Sequence, residues 1–466
     1  MCGIFGISTP NKNVSKLIYL GLYALQHRGQ ESAGISVLGS DQKVKTYKNM
    51  GLVSLVFGEE KLELLSGDMG IGHVRYSTTG SSHVKNAQPV VFDFNGETAS
   101  LVHNGNLVNC NAIKNELMEY GENFSMSSDT EMIAALLKHF NKTEKNIEEC
   151  LKLTLKKIQG AYSLLLMLPG KLIAVRDPNA FRPLVIGEID NHYVFASESA
   201  ALDIVGANFI REVLKGEVVI LENGTLRTFV FDNDKPLASC VFENIYFARP
   251  DSNLSGRNVY EFRVKLGEML FQDSPAEADI VIAVPDSGIP SAIGYAKASG
   301  IPYAEGLIKN RYVGRTFINP DPIIRELGVR IKLNPISHVI KGKRIVVIDD
   351  SIVRGTTSRK LLKLLREAGA KEIHFRISSP PFHSPCFYGI DTPIKEDLIA
   401  NTMSLEEIRK HLGADSLGYL TIPSLIKASG ANKKEFCLAC FNGEYPVQVP
   451  EEMSKLKLEF NLKPSN

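Results

Sequence analysis

The pattern of strands and turns changes near residue 232, and this change constrains the fold more than any other feature of the sequence. Before it, short β-rich runs are joined by tight turns at Asn95-Gly96, Pro169-Gly170 and Asn223-Gly224, which predicts antiparallel hairpins. After it, apolar runs end in glycine-containing loops that lead into amphipathic segments, which predicts parallel strands connected by helices. The chain is therefore expected to contain two domains of different architecture.

The boundary between them is a polar, proline-containing stretch from Asp232 to Leu237. We predict a first domain over residues 2–231, a second over 238–446 and a C-terminal tail over 447–466. The first domain is expected to be an α+β sandwich layered as αββα, with a helix over Asp129 to Phe140, where apolar residues recur with helical period. The second is expected to be an α/β domain with a mainly parallel sheet.

The charge balance argues against a nucleic-acid-binding protein. The 466 residues include 53 Lys plus Arg and 52 Asp plus Glu, so no overall basic field would attract nucleic acid, and an anionic substrate must be held locally. No apolar run is long enough to span a bilayer and no secretory leader is evident, which predicts a cytoplasmic protein. Seven cysteines in that compartment favour catalysis, metal binding or core burial over disulfides.

Cys2 is followed by an apolar, glycine-containing run, Gly3 to Ile7, which is typical of a buried strand. Removal of Met1 would leave a residue with both a thiol and a free α-amine. The thiolate is the reactive form of cysteine, and an amine with a pKa near neutrality can accept the thiol's proton. We therefore expect Cys2 to be a nucleophile that needs only methionine removal, with no longer propeptide to be cleaved.

Four other segments contain residues that would complete such a site, namely HRGQES, GHVRYSTTG, LVHNGNLVN and SSDTE. Taken singly, Asn104-Gly105 is typical of a hairpin turn, Arg75 of a surface ion pair and Asp129 of a helix N-cap. Taken together, they suit the hydrolysis of glutamine. An Asn side chain beside a glycine N-H supplies two donors to an oxyanion, and an arginine and a carboxylate bind the two α-substituents of an amino acid.

These segments, together with the MCGIFGI start, resemble the class II glutamine amidotransferase domain, of the N-terminal nucleophile hydrolase type. The resemblance implies that Cys2 is the nucleophile and that Asn104 and Gly105 form the oxyanion hole. It also implies that glutamine is bound by Arg75, Asp129 and Arg28.

The string RIVVIDDSIVRGTTS in the second half predicts a phosphate site. A buried strand ending in Asp349-Asp350 places two carboxylates at the edge of a parallel sheet, where they suit Mg²⁺ and ribose hydroxyls. Glycine, hydroxyl residues and a helix N-terminus follow, and these bind anions. The alternative is an Asp pair that serves only to cap the helix.

This string resembles the signature of the phosphoribosyltransferase family. The resemblance implies one Mg²⁺ per subunit, held by Ser287, Asp349 and Asp350, and a mobile loop around Lys309 to Phe317. It implies a phosphoribosyl pyrophosphate site made of Asp349, Asp350, Ser351, Arg354, Gly355, Thr356, Thr357, Ser358, Ser287, Gly288, Lys309, Arg311 and Tyr260.

The two modules in this order imply a glutamine-dependent pentosyltransferase. It would form 5-phosphoribosylamine, glutamate and pyrophosphate from phosphoribosyl pyrophosphate, glutamine and water, at the first step of de novo purine biosynthesis. The resemblance also implies inhibition by purine nucleotides (AMP, GMP, ADP or GDP) and a homotetramer or homodimer. An amidotransferase that makes an amino sugar would share the first half but not the phosphoribosyl signature. A regulator that senses phosphoribosyl pyrophosphate would have no use for Cys2.

Four cysteines have the character of metal ligands: Cys437 and Cys440 form a C-x-x-C pair, whereas Cys240 and Cys386 are isolated. The spacing alone is compatible with zinc, with an iron–sulfur cluster, with a redox pair or with simple burial. Their sequence contexts resemble the branch of this two-domain family that carries a [4Fe-4S] cluster, which implies that these four residues are its ligands.

Overall fold

The computed structural model describes residues 1–10, 13–77, 81–124, 126–310, 332–392 and 394–449. The strands are β1 (Gly3–Ser8), β2 (Ser32–Leu38), β3 (Val44–Met50), β4 (Met69–Arg75), β5 (Val90–Phe94), β6 (Glu97–Leu107), β7 (Gly160–Leu168), β8 (Lys171–Arg176), β9 (Val185–Ile189), β10 (His192–Ala196), β11 (Asn208–Glu212), β12 (Glu217–Glu222), β13 (Thr225–Val230), β14 (Ser239–Cys240), β15 (Asn253–Leu254), β16 (Arg257–Asn258), β17 (Ile280–Ala283), β18 (Leu307–Lys309), β19 (Leu333–Pro335), β20 (Arg344–Asp349), β21 (Glu372–Ile377), β22 (Ser416–Tyr419) and β23 (Phe436–Cys437).

The α-helices are α1 (Val14–Ala24), α2 (Val53–Val56), α3 (Glu59–Leu64), α4 (Cys110–Glu119), α5 (Asp129–Phe140), α6 (Ile147–Lys157), α7 (Ser199–Val205), α8 (Val259–Asp273), α9 (Ile289–Ser299), α10 (Ser337–Ile340), α11 (Thr356–Glu367), α12 (Ile399–Thr402), α13 (Leu405–Leu412), α14 (Ile422–Ser429) and α15 (Ala439–Asn442). None of the helices within these ranges is long and apolar enough to cross a lipid bilayer.

Two antiparallel sheets form the first half of the chain. One has the strand order β11-β9-β10-β1-β4-β2-β3 and the other β13-β12-β8-β7-β6-β5. Alternate residues of both sheets, such as Ile4, Ile71, Val102 and Leu165, interdigitate in one apolar core, as expected for sheets packed face to face. Helices α1 and α7 cover the first sheet and α4, α5 and α6 cover the second. The predicted αββα layering is confirmed.

The three predicted hairpins are present as β5-β6, β7-β8 and β12-β13. The turn residues Asn95 and Asn223 have φ values of 62° and 50°, and each is followed by a glycine with positive φ. That combination is what a two-residue hairpin turn requires. Helix α5 spans Asp129–Phe140, the range expected from its apolar period.

The second half is built on a four-stranded sheet in the order β17-β20-β21-β22, with every pair parallel. Helices α8 and α9 pack on one face, and the apolar side of α11 packs on the other. This is the predicted parallel α/β architecture, so the carboxyl ends of β17 and β20 lie side by side. No helix or strand occurs between Val230 and Ser239 in the part of the chain described there.

Candidate functional site

Cys2 lies just before β1, at the centre of the first sheet, and is only 7% exposed. Its backbone N-H donates to Asn104 Oδ1 at 3.2 Å, and its Sγ lies 3.6 Å from the carbonyl oxygen of Tyr76. Burial raises the pKa of the Cys2 thiol, and the adjacent terminal amine opposes that rise. The thiol is therefore held at a fixed point, and it depends on a nearby base or cation for ionisation.

The terminal amine in this structure belongs to Met1, which is 1% exposed. Burial lowers the pKa of this amine from 8.0 to about 5, so an amine at this position is neutral near pH 7 and can accept a proton. The Met1 Sδ contacts the guanidinium of Arg182. The burial that keeps an amine neutral here leaves it able to take up a proton, but it also disfavours the charged form and so weakens the amine as a base.

Asn104 and Gly105 lie on β6 and face Cys2. Asn104 is fully buried, and its Nδ2 has no hydrogen-bond partner among the described residues. A Cβ on Gly105 would stand 2.0 Å from the carbonyl oxygen of Ala161 on the neighbouring strand, so only glycine fits. A buried amide donor without a partner is costly, and it is suited to an oxyanion that forms beside the thiol.

Arg75, at the end of β4, and Asp129, at the start of α5, lie on the same pocket as Cys2. The Arg75 Nη1 donates to Glu31 Oε1 at 2.6 Å, and the backbone N-H of Leu107 donates to Asp129 Oδ2 at 3.1 Å. Burial alone would raise the pKa of Asp129, but the contacts with His103, the Leu107 N-H and Arg75 lower it below the ordinary value.

The pocket encloses about 270 Å³ including its open mouth and is bordered by Cys2, Arg75, Tyr76, Ser77, Gln88, His103, Gly105, Ser128 and Asp129. A cation, a carboxylate and a thiol thus converge on one pocket, and these are the groups that an amino acid with a side-chain amide would need.

Two residues that border the pocket, His103 and Gln88, are not among those predicted from the sequence. The His103 Nδ1 lies 3.4 Å from Asp129 Oδ1, and its backbone N-H donates to Gln88 Oε1 at 2.7 Å. His103 stands next to Asn104 and could have been found from that segment. Gln88 carries no local signal because only the folded chain brings it to the pocket.

Arg28 does not border this pocket, so its position gives no support to the expected contact with glutamine. Its Nε donates to the carbonyl oxygen of Cys2 at 2.8 Å, and its terminal nitrogens pair with Glu198 and Glu243. Two buried carboxylates therefore share this guanidinium, which also contacts the backbone of Cys2.

The second group of predicted residues meets at the carboxyl ends of β17 and β20. The Ser287 Oγ donates to Asp350 Oδ1 at 2.6 Å and the Ser351 Oγ donates to Asp350 Oδ2 at 2.5 Å. The Asp350 N-H donates to Asp349 Oδ1 at 2.9 Å. Three predicted metal ligands, Ser287, Asp349 and Asp350, are thus brought together.

Burial raises the pKa of both Asp349 and Asp350. The charge of Asp350 raises the pKa of Asp349 further, whereas hydrogen bonds from Ser287 and Ser351 oppose the rise at Asp350. Two carboxylates held this close to each other repel unless a proton or a cation lies between them. The pair is therefore a suitable site for a divalent cation.

The residues predicted to bind phosphate follow directly. Gly355 has φ 74° and precedes the first residue of α11. Thr356 and Thr357 are exposed there and Ser358 is buried. The N-H groups of the first helical turn have no partner within the helix, so the threonines and this helix end offer donors to one anion.

The remaining predicted residues surround this edge of the sheet or fall outside it. Gly288 precedes α9, and a Cβ there would stand 2.5 Å from the Ile348 carbonyl oxygen. Lys309 pairs with Asp286, Arg354 pairs with Asp397 at 3.1 Å, and Tyr260 is exposed. Arg311 lies outside the described residues.

The four cysteines expected to bind a metal group lie near one another. Cys240 on β14 is opposite Cys437 on the parallel strand β23, and Cys440 follows in α15. Burial raises the pKa of Cys440, and the charges of Cys240, Cys437 and Cys386 raise it further. In the described part of the chain, no three His, Cys, Asp or Glu side chains are arranged to hold a single metal ion.

Comparison with known proteins agrees with this division into two sites. A model of the glutamine amidotransferase domain matches residues 73–203, and a model of the phosphoribosyl transferase domain matches residues 265–378. The chain is 49% identical over 461 residues to a protein of Synechococcus elongatus named amidophosphoribosyltransferase, covering 98% of this chain and 93% of that protein. It is 49% identical over 456 residues to a protein of the same name from Methanothermobacter thermautotrophicus, covering 97% and 96%.

A solved structure has the same fold over nearly the whole chain. It is described as glutamine phosphoribosylpyrophosphate amidotransferase from B. subtilis complexed with ADP and GMP. The TM-score is 0.91 at 46% identity, with 97% of this chain and 99% of that chain covered.

Proposed function

Because this chain belongs to the amidophosphoribosyltransferase family, we propose that its two sites share one reaction, with glutamine split at Cys2 and the sugar phosphate held at Asp349-Asp350. The enzyme is a glutamine-dependent pentosyltransferase that forms 5-phosphoribosylamine at the first step of de novo purine biosynthesis. The residue roles and the domain bounds 2–231 and 238–446 are our proposal. The observation that carries it is the convergence of Cys2, Gly105, Arg75 and Asp129 on one pocket, with Asn104 hydrogen-bonded to the Cys2 N-H.

In the first half-reaction, glutamine lies in the pocket with its α-carboxylate at Arg75 and its α-ammonium at Asp129. The terminal amine takes the proton of the Cys2 thiol, and the sulfur attacks the carboxamide carbon. The oxyanion accepts hydrogen bonds from Asn104 Nδ2 and the Gly105 N-H. The C-N bond then breaks, ammonia leaves with the proton returned by the amine, and water hydrolyses the thioester to glutamate.

In the second half-reaction, ammonia forms a bond to C1 of phosphoribosyl pyrophosphate as the bond from C1 to pyrophosphate breaks. Asp349 and Asp350 orient the ribose hydroxyls, and Thr356, Thr357 and the start of α11 bind the 5-phosphate. Lys309 and Arg311 neutralise pyrophosphate. Phosphoribosyltransferases generally use Mg²⁺, which Ser287, Asp349 and Asp350 would hold here and which would neutralise charge on the leaving pyrophosphate.

We also propose that Cys240, Cys386, Cys437 and Cys440 hold a [4Fe-4S] cluster. These four side chains would supply the four thiolates that such a cluster needs.

The surroundings of the thiols also fit a negatively charged cluster. The backbone N-H of Tyr388 points to Cys386 Sγ at 3.4 Å. The thiolate charges of Cys240 and Cys386 raise the pKa of the buried Arg182, although burial itself opposes this rise. A hydrogen bond to sulfur and a nearby guanidinium both compensate cluster charge.

Three further features are proposed from the family. Purine nucleotides are expected to inhibit the enzyme, because the B. subtilis relative is described in a complex with ADP and GMP. The chain is expected to form a homotetramer or homodimer. It is expected to act in the cytoplasm, although two relatives from Arabidopsis thaliana are chloroplastic.

The division of labour is tested by measuring pyrophosphate release with glutamine or with ammonia as the nitrogen source. Cys2→Ala should abolish glutamine-dependent synthesis and leave ammonia-dependent synthesis within about twofold of the wild type. Asp349→Ala and Asp350→Ala should abolish synthesis from both sources. Loss of both activities in Cys2→Ala, or loss of only one in the aspartate variants, would refute the assignment.

The cluster is tested by iron and acid-labile sulfide analysis of anaerobically purified protein. We expect four irons and four sulfides per chain, with both lost in Cys437→Ser and both kept in Cys150→Ala, which removes a cysteine outside the four. One zinc per chain in place of iron would overturn this assignment and leave the two catalytic sites unaffected.

A further inference from the structure

The carbonyl group of Cys2 is held by an arginine that also pairs with a glutamate of the second domain. Arg28 is completely buried, and its Nε donates to the Cys2 carbonyl oxygen at 2.8 Å. Its Nη2 donates to Glu243 Oε1 at 2.8 Å and its Nη1 donates to Glu243 Oε2 at 3.0 Å. Glu243 thus takes both terminal nitrogens of the guanidinium in a bidentate contact, the geometry that fixes an arginine most firmly.

The other partner of Arg28, Glu198, is itself tied to the second domain. The Glu198 Oε1 accepts from Arg28 Nη1 at 2.5 Å. The Glu198 Oε2 accepts from the backbone N-H of Arg249 at 2.9 Å and from Ser252 Oγ at 2.8 Å. Burial alone would raise the pKa of Glu198, but His27 and Arg28 lower it well below its usual range, so this carboxylate stays charged.

Glu243 is also fixed from its far side. The Arg182 Nη1 donates to Glu243 Oε1 at 3.3 Å, and the Arg182 Nε donates to the carbonyl oxygen of Tyr388 at 3.0 Å. Two arginines and two glutamates therefore balance one another in a space closed to water. A network of this kind is rigid while every charge has its partner.

We infer that Glu243 is a positioning residue of glutamine hydrolysis, which acts from the second domain by fixing Arg28 against the carbonyl group of Cys2. This inference rests on the proposed role of Cys2 as the nucleophile. Glu243 is not among the residues that border the proposed glutamine pocket. Its effect therefore passes through Arg28 to the backbone that carries the thiol and the amine.

A small displacement of that backbone is sufficient to slow the reaction. A misplacement of about 1 Å can cost on the order of 100-fold in rate, because the sulfur must reach the carboxamide carbon while the oxyanion reaches Asn104. Arg75 and Asp129, which would bind the substrate, do not depend on Glu243. The loss is therefore expected in kcat, with little change in KM for glutamine.

The test is Glu243→Gln, which keeps the shape of the side chain and removes its charge. We expect kcat for glutamine-dependent synthesis to fall tenfold or more, KM for glutamine to stay within threefold, and ammonia-dependent synthesis to stay within twofold. A diazoketone analogue of glutamine, which alkylates Cys2, gives a second readout by intact mass. Its labelling rate constant should fall while its final stoichiometry stays at that of the wild type, a result that a partly unfolded preparation does not give.

Matched variants keep the test decisive. Glu217→Gln alters another buried glutamate that pairs bidentately with an arginine, Arg211, but within the first domain, and should leave all rates within twofold. Ser252→Ala removes one donor to Glu198 without changing a charge, and should lower glutamine-dependent kcat two- to fivefold even if Glu243→Gln is insoluble. Ser100→Ala, which removes a buried hydroxyl paired with Ser36, is its control.

Unchanged glutamine-dependent kcat in both Glu243→Gln and Ser252→Ala would overturn the inference, as would a parallel fall in ammonia-dependent synthesis. Cys2→Ala, measured alongside, separates the two levels of the argument. If Cys2→Ala still uses glutamine, the proposed function fails. If Cys2→Ala is inactive with glutamine while Glu243→Gln and Ser252→Ala both behave as the wild type, only the role of Glu243 fails.

Discussion

The oxygen and the nitrogen of the Asn104 side-chain amide differ in their hydrogen bonding. Its oxygen accepts from the Cys2 N-H, whereas its nitrogen has no partner among the described residues. The hydrogen bond to the oxygen fixes the side chain. The nitrogen remains a donor for the oxyanion that we propose forms during the reaction. Preorganised donors of this kind are effective because they need no rearrangement when the charge appears.

Asn104→Ala is expected to lower kcat for glutamine-dependent synthesis by about 10²- to 10³-fold, the usual cost of removing one oxyanion donor. KM for glutamine should change little, and ammonia-dependent synthesis should be unaffected. Steady-state kinetics with both nitrogen sources checks this. A rise in KM at constant kcat would instead assign Asn104 to substrate binding.

Asp349→Asn is expected to stabilise the protein without Mg²⁺ while abolishing transfer. At neutral pH the Asp349 carboxyl is ionised in the unfolded chain, whereas burial and the charge of Asp350 disfavour that ionised form in the folded protein, which costs free energy of folding. An amide removes that cost and can still accept from the Asp350 N-H. Thermal unfolding in chelator should show a gain on the order of 1 kcal/mol. A loss of stability would show that the Asp349 charge supports the native state.

That residues of the candidate sites lie together could be predicted from sequence where short segments carry several of them, as at Asn104-Gly105 and Asp349-Asp350. It could not be predicted where long-range folding delivers a single side chain. Gln88 reaches the candidate pocket from a loop. Arg28 lies in the HRGQES segment, and its guanidinium pairs with Glu198 and Glu243 at the junction of the two domains. Local spacing does not encode either placement.

At the scale of elements, hairpins and helix α5 follow from turn chemistry and apolar period, because both signals are local. The short parallel pair β14 and β23 does not, because it joins residues 239–240 to residues 436–437 without any periodic pattern. The close crossing of α8 and α9 is also a tertiary feature. Gly267 and Gly294 meet the opposite backbone there, with room for no side chain.

Gly294→Ala tests that crossing. In an ordinary helix this change stabilises by up to about 1 kcal/mol, but here the new Cβ would stand 1.9 Å from the Val264 carbonyl oxygen. We expect destabilisation of about 1–3 kcal/mol from overpacking, measured by denaturant unfolding. Lys297→Ala, an exposed change on the same helix, should stay within about 0.5 kcal/mol. If the Gly294→Ala protein were more stable than the wild type, the two helices would be able to move apart and accommodate the added methyl group.

At the scale of the whole molecule, two architectures that could each be predicted separately meet through a buried ionic junction that could not. Arg28, Arg182, Glu198 and Glu243 come from distant parts of the sequence, and each taken alone resembles a surface charge. Their pairing depends on both domains being folded. The junction is therefore where the stability of the whole enzyme and the geometry of one site are linked.

Acid should expose this link. The pKa of Glu198 is lowered on folding by His27 and Arg28 despite its burial, so the unfolded chain binds the proton more readily. The stability that Glu198 contributes is present above its unfolded pKa of about 4.5 and is lost as the pH falls below that value. Between pH 6 and pH 3.5 the melting temperature of the wild type should fall more steeply than that of Glu198→Gln. Parallel slopes would contradict this assignment.

The burial of Met1 determines whether this residue can be removed before or after folding. An aminopeptidase cannot reach a residue that is 1% exposed, so the removal of Met1 expected from the sequence would have to precede folding. Molecules that fold too early would keep a blocked nucleophile indefinitely. Rapid overproduction should therefore yield a fraction of permanently inactive protein. The size of that fraction depends on the relative rates of folding and of methionine removal.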